Sequence, residues 1–378
     1  MTPPLTRRGL LAGGAATMVG ALAARPTGQA PPAPAAEPFD GVHQAGIATP
    51  PQAHAVFAGF DLRAGTGREA IGRLLRLLTD DARRLTAGRP ALADTEPELA
   101  TVPARLTVTF GFGPGLFAAA DLESPVRPLP PFKTDHLRKQ WSGADLLVHI
   151  GSDDTLTLAH ALRMIVKDAR AFARVRWTQR GFRRTASSGE TQRNLMGQLD
   201  GTVNPTDLDR AVWISDGPQW LRGGTTLVLR RIRMKLEEWD ATDRVGREFT
   251  IGRRLDNGAP LTGRYERDEP DFDQVTRVGF PVISEFAHIR RARVEDPGLR
   301  ILRRPYNYDE GLSPDGRSDS GLLFASYQAD IERQFIPIQR RLAEGDLLNE
   351  WVTTIGSAVF AIPPGCSPTG WIGERLLA

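Results

Sequence analysis

Two stretches of the chain alternate strand and helix patterns in the same way, and this repetition limits the fold more than any single motif. HAVFAGFDL at residues 54–62 reads as a strand, and REAIGRLLRLLTDDARRL at 68–85 carries apolar residues at helical spacing. RLTVTFGFG (105–113) and DLLVHIG (145–151) read as further strands. A helix then runs from Thr155 to about Ala173, its start marked by the acidic SDD at 152–154, which suits the positive end of a helix dipole. The second half repeats the plan with TTLVLRRIRMKL (225–236), a short helix around 244–253, GLLFASYQ (321–328) and a last helix near 331–344. Helices on one face of a largely antiparallel sheet, twice over, predict an α+β fold of two units without a clear sequence repeat.

At 378 residues, with 40% hydrophobic and 25% charged, the chain can bury one large core or two of ordinary size. The N-terminus reads as an address. TRRGLL at 6–11 opens a run of small and apolar residues to about Ala24, with ALA at 21–23 as a cleavage site, and the run is short of the roughly 20 residues a spanning helix needs. It resembles a twin-arginine export signal over 1–24. That implies passage through the twin-arginine translocase to an extracellular, cell-envelope or periplasmic location, a route taken by proteins already folded and often already loaded with a cofactor. A Pro/Ala-rich linker follows at 25–38, and the two folded units are expected at 39–215 and 216–378. Without Arg7 and Arg8 the formal charge falls from +3 to +1, so nucleic acid is not an expected partner. Cys366 is the single cysteine, which excludes an internal disulfide framework.

Candidate chemistry is sparse. His43, His54, His136, His149, His160 and His288 are too scattered for a zinc set, no G-x-S-x-G elbow occurs, and Gly223 and Gly224 precede a strand instead of a helix. Three segments remain: GQLDGTVNP (197–205), with Asp200 between glycines; FAHIRRA, with His288 after an apolar run; and ILRRPYNY, with the Arg303–Arg304 pair. By residue type alone, Asp200 could be a turn aspartate, His288 a core histidine and Arg303 a surface ion-pair partner.

GQLDGTVNP resembles the G-x-x-D-G motif of the dye-decolourising (DyP-type) haem peroxidases. TTLVLRRIRMKLEEWD, FTIGRRLDNGAPLTG, FAHIRRA, ILRRPYNY, GLLFASYQADIERQFIPIQRRL and IGSAVFAIPPG resemble further blocks of that family's exported branch, which includes the deferrochelatases. The likeness runs from about residue 50 to the C-terminus. It implies two ferredoxin-like domains with antiparallel sheets in a dimeric α+β barrel-like arrangement. One haem b per chain would lie between sheet and helices of the C-terminal domain. His288 would be the axial iron ligand, Asp200 the distal proton shuttle and Arg303, the first of its pair, the distal arginine. Gly201, Thr202, Leu323 and Phe324 would complete the cofactor's surroundings. Asp271 and Asp273 are the candidates to accept the other N–H of His288. Where many members carry Asn-Pro-Arg, this chain reads Arg293, Val294, Glu295.

The implied activity is reduction of hydrogen peroxide and oxidation of aromatic or dye-like donors through a ferryl intermediate, with Tyr306, Tyr308, Trp177, Trp239 and Trp351 as candidate electron relays. The alternative is a deferrochelatase that takes iron from haem, and a non-enzymatic haem carrier is a third reading. A homo-oligomer and iron-uptake proteins are compatible partners. Gly197 and Gly201 allow a tight turn that carries the carboxylate over the iron.

A carboxyl group titrates near pH ~4 and an imidazole near pH ~6.5, so an aspartate base stays ionised in acid where a histidine base is lost. Peroxidation is therefore expected to be fastest in mild acid. A pH–rate profile that peaks above neutrality and vanishes at about pH 4–5 would count against Asp200 as the base.

Overall fold

The computed structural model describes residues 35–184 and 190–377. The signal-like segment 1–24 and linker residues 25–34 lie outside the described residues. Among the described residues nine strands form the frame: β1 (His54–Leu62), β2 (Thr107–Phe112), β3 (Leu146–Ser152), β4 (Ala173–Phe182), β5 (Thr225–Met234), β6 (Leu302–Arg303), β7 (Tyr306–Leu312), β8 (Ser318–Gln328) and β9 (Val352–Ile362). The first half supplies an antiparallel sheet in the order β2-β3-β1-β4. The second supplies β9-β5-β8-β7, with the two-residue β6 also on β8. The α+β expectation therefore holds, with the strand pattern appearing once in each half.

The two sheets join edge to edge. β2 meets β9 at Phe112↔Ala361, and β4 meets β7 at Phe182↔Asn307, so the strand order returns on itself through β5–β8 and closes a ring. Closure removes the open edges that would otherwise offer unpaired N–H and C=O groups to another chain.

Alternation along each strand follows from this closure. Val56, Ala58 and Phe60 of β1 face outward under the helices, with Val148 and Ile150 of β3, whereas Ala55, Phe57 and Leu147 face the barrel interior and meet Tyr306, Leu323 and Tyr327 from the other sheet. With both faces covered, the strands read as near-continuous apolar runs. Gly59 has a specific reason: a Cβ there would lie 2.5 Å from the Trp177 ring.

The helix Arg68–Thr86 buries Ile71, Leu74, Leu75, Leu78, Ala82 and Leu85 on one stripe. Beside it runs the helix Thr155–Ala169, whose N-cap Asp154 accepts the Thr157 N–H at 2.7 Å; it ends a turn earlier than the sequence pattern predicts. On the second sheet lie helices Leu236–Ala241, Arg244–Ile251, His288–Arg291 and Ile336–Gly345, the last entered through a π-type turn at Ile331–Phe335. No helix among the described residues is long and apolar enough to cross a membrane.

One buried group is out of keeping with this core. Asp81, on Arg68–Thr86, is 1% exposed, and the Asp168 carboxyl stands close enough to share a hydrogen bond with it when one of the two is protonated. Burial and the neighbouring Asp168 push its pKa up to about 8. The folded chain thus holds a proton that the unfolded chain releases near pH ~4, and its stability falls as pH rises from there to about 8. Asp81→Asn removes this penalty. It is expected to leave Tm nearly unchanged at pH ~4 and to raise it by about 2–4 °C at pH ~8, read by thermal unfolding at both pH values. An equal shift at both would show that Asp81 carries no such proton.

Candidate functional site

A cavity of about 430 Å³ lies between the outward face of the second sheet and its helices, with the segment 194–206 along one side. Its apolar wall comes from Met196, Ile232, Met234, Leu322 and Phe324. Alternation on β8 decides which residues reach it. Leu322 and Phe324 face the cavity, and Leu323 turns to the barrel interior, fully buried beside Tyr306. The expectation for Leu323 is therefore corrected to Leu322, because a one-residue offset on a strand exchanges its faces; Phe324 lines the cavity.

His288 opens the short helix His288–Arg291 and lines the cavity. Its Nδ1 donates to Asp346 Oδ2 at 2.6 Å, and among the described residues its Nε2 meets no hydrogen-bond partner. Asp346 is itself held in place: its backbone N–H donates to Leu342 O at the end of helix Ile336–Gly345, and its Oδ1 accepts the Leu348 N–H at 2.9 Å. Burial works against the imidazolium, but the Asp346 carboxylate outweighs it and raises the His288 pKa above the ordinary imidazole value. Asp271 and Asp273 do not reach the ring. Asp271 Oδ1 accepts the N–H groups of Asp273 and Gln274, which makes the pair a local turn. The partner lies 58 residues downstream, in EGDLLNE. Its visible sequence role is a helix-end cap, and no spacing rule links it to His288.

Asp200 and Arg303 meet at 3.1 Å through Oδ1 and an Arg303 Nη. Asp200 sits in a tight loop: its N–H donates to Gln192 O, Arg193 and Leu199 form an isolated bridge, and Gly197 and Gly201 take φ of 79° and 121°. Gly201 occupies backbone space that a side chain would strain. Thr202 Oγ1 donates to Glu266 Oε1 at 2.9 Å, and Thr191 donates to the same oxygen. Glu266 ties the loop to the segment 253–266 and has no sequence signal beyond being an acid in a polar stretch. Arg304 turns the other way, bonding Thr49 O and Gln52 Oε1, so it is Arg303 that stands beside Asp200.

The divergent segment still contributes. Arg293 and Val294 line the cavity, and Arg293 pairs with Glu269 at 2.7 Å. Arg300 lines it too, with a buried Nε that no group among the described residues satisfies. Of the aromatic candidates, Trp239 and Trp351 lie under the cavity wall with ring centroids 5.2 Å apart, whereas Trp177, Tyr306 and Tyr308 belong to the barrel interior.

This donor set fits a haem. The lining presents a single imidazole nitrogen backed by a carboxylate, an acid–arginine pair, and further arginines, Arg293 and Arg300, whose N–H groups suit carboxylates.

The family model described as "Dyp-type peroxidase, N-terminal" matches residues 44–183, and "Dyp-type peroxidase, C-terminal" matches 191–367. A dye-decolorizing peroxidase of Thermobifida fusca is 41% identical over 345 residues, covering 85% of this chain and 80% of that one. A deferrochelatase of Escherichia coli is 34% identical over 372 residues, covering 90% and 87%. Among solved structures, a DyP-type peroxidase from Cellulomonas bogoriensis superposes with a TM-score of 0.90 at 52% identity, covering 92% of this chain and 99% of that one. Ferric DtpA from Streptomyces lividans gives 0.87 at 43%, covering 91% and 97%.

His288→Ala is expected to abolish haem uptake. Asp346→Asn should keep uptake but weaken it by about 10–100-fold and raise the ferric/ferrous potential, because a neutral partner leaves the imidazole a poorer donor. Soret titration and a redox titration read the two effects; wild-type values for Asp346→Asn in both would remove the carboxylate from the site's chemistry.

Proposed function

The chain belongs to the Dyp-type peroxidase family and is a peroxidase, and we propose that it binds one haem b through His288 Nε2, reduces hydrogen peroxide and oxidises aromatic or dye-like donors. The observation that carries this reading is the 3.1 Å contact between Asp200 and Arg303 beside the cavity that His288 also lines. Haem bound there would supply the iron at which peroxide is reduced and from which donors are oxidised.

The residues divide the remaining work. Asp200 takes a proton from one peroxide oxygen and returns it to the departing one, which needs an ionised carboxylate with limited access to bulk water; its side chain is 11% exposed. Arg303 is a permanent charge that holds the carboxylate and offsets negative charge developing on the departing oxygen. Asp346 keeps His288 oriented with its proton on Nδ1. The apolar wall from Ile232, Leu322 and Phe324 limits competing water. The Arg7–Arg8 segment supports export by the twin-arginine route as part of the same proposal.

Iron release from haem is the second reading, supported by the similarity to deferrochelatases over nine-tenths of the chain. It comes second because identity to the dye-decolorizing peroxidase is higher. A carrier with no chemistry would have no use for an acid–arginine pair beside the cofactor.

Stopped-flow mixing of the haem-loaded protein with peroxide tests the leading reading. Asp200→Ala and Arg303→Ala are each expected to lower the second-order rate constant by about 10²–10⁴-fold with haem content kept. Normal rates in both variants would sink the proposed roles. Recovery of iron-free porphyrin in place of oxidised donor would favour the second reading.

A further inference from the structure

Arg303 sits on a strand of two residues. β6 pairs on one side with β8, through Leu302↔Tyr327 and Arg303↔Ser326, and among the described residues no strand lies on its other edge. On that edge the side chain of Asn204 takes a strand's place. Its Oδ1 accepts the Arg303 N–H at 3.0 Å, and its Nδ2 donates to the Arg303 carbonyl at 2.8 Å. One carboxamide thus satisfies both polar groups of one peptide residue, as a neighbouring strand would. The two partners also settle which end of the amide is which, since an N–H needs an acceptor and a C=O needs a donor.

We propose that Asn204 is a positioning residue: it fixes the main chain of Arg303 to the loop that carries Asp200 and so sets where the guanidinium stands. The proposal rests on the role of Arg303 given above. Asp200 and Arg303 are joined by two routes. The first is their own ion pair, which can swing because an arginine side chain has several rotatable bonds. The second runs from Asp200 through Gly201 to Asn204, whose N–H donates to Gly201 O at 3.1 Å, and from its carboxamide to the Arg303 backbone. Of the two, it is this route that acts at the base of the Arg303 side chain, complementing the pairing with β8 on the other edge, and it involves no charge.

The geometry demands asparagine. Aspartate has the same shape but no donor, and its oxygen would face the Arg303 carbonyl. Alanine leaves the Arg303 N–H and C=O with no partner on that edge. The opposite anchor of the loop, where Thr191 and Thr202 donate to Glu266, fixes the loop to the segment 253–266 and does not touch Arg303.

Fluoride binding to the ferric, haem-loaded protein is the test. Fluoride on the iron accepts a hydrogen bond from a well-placed guanidinium, so its affinity and the position of its charge-transfer band report where Arg303 stands, which a role in stability alone would not move. Arg303→Ala, Asn204→Ala and Asn204→Asp are each expected to weaken fluoride about tenfold or more and to shift the band, with haem content and donor KM kept in Asn204→Asp. If Arg303→Ala weakens fluoride and both Asn204 variants bind it as wild type does, Asn204 is not a positioning residue and the role of Arg303 survives. If Arg303→Ala itself leaves fluoride unchanged, the role of Arg303 falls and this inference with it. Should Asn204→Ala fail to take up haem, the isosteric Asn204→Asp decides; failure of both assigns Asn204 to folding and overturns the proposal.

Discussion

Strand β8 is the element on which the rest depends. It pairs with β5, β6 and β7. Its alternate residues serve two compartments, with Leu323, Ala325 and Tyr327 filling the barrel and Leu322 and Phe324 forming a wall of the cavity. The register of this one strand therefore couples the core to the site. A slip by one residue would bury the cavity wall and expose the barrel's aromatic lining, so the burial that stabilises the barrel also holds Leu322 and Phe324 in place.

The fold was legible where physics is local. Strands covered on both faces leave long apolar runs, and amphipathic helices leave a 3.6-residue stripe, so the alternating plan of both halves could be read directly. The two single-pair seams that close the ring could not. Phe112↔Ala361 and Phe182↔Asn307 have no pattern of their own, and each joins residues whose nearness is a result of the whole fold. Leu323 was misplaced for a related reason: an unbroken apolar run such as GLLFASYQ does not reveal which parity faces which layer.

The site divides in the same way. Asp200, His288 and Arg303 carry block likenesses that survive over distance in sequence. Of the residues that hold them, Asp346 and Glu266 lie outside those blocks, and Asn204 lies inside one with no role legible there. Asp346 looks like a cap, Glu266 like one acid among several, and Asn204 like a turn residue ahead of a proline. Each acts by a hydrogen bond across 58 to 99 residues, and such bonds leave no periodic trace. What sequence reading can locate is the group that would do the chemistry; what it misses is the neutral or capping residue that keeps the group in place.

The closed ring also has a consequence in time. β9 is the last strand to be made, yet it lies between β5 and β2, so the second sheet and the ring stay unfinished until the chain is nearly complete. Contacts that distant in sequence form slowly, because the entropy of closing the long intervening loop is lost before the pairing returns anything. Until then β2 and β5 keep open edges. Closure of the barrel is thus among the latest events that the strand order permits, and it is complete only when Ala361 meets Phe112.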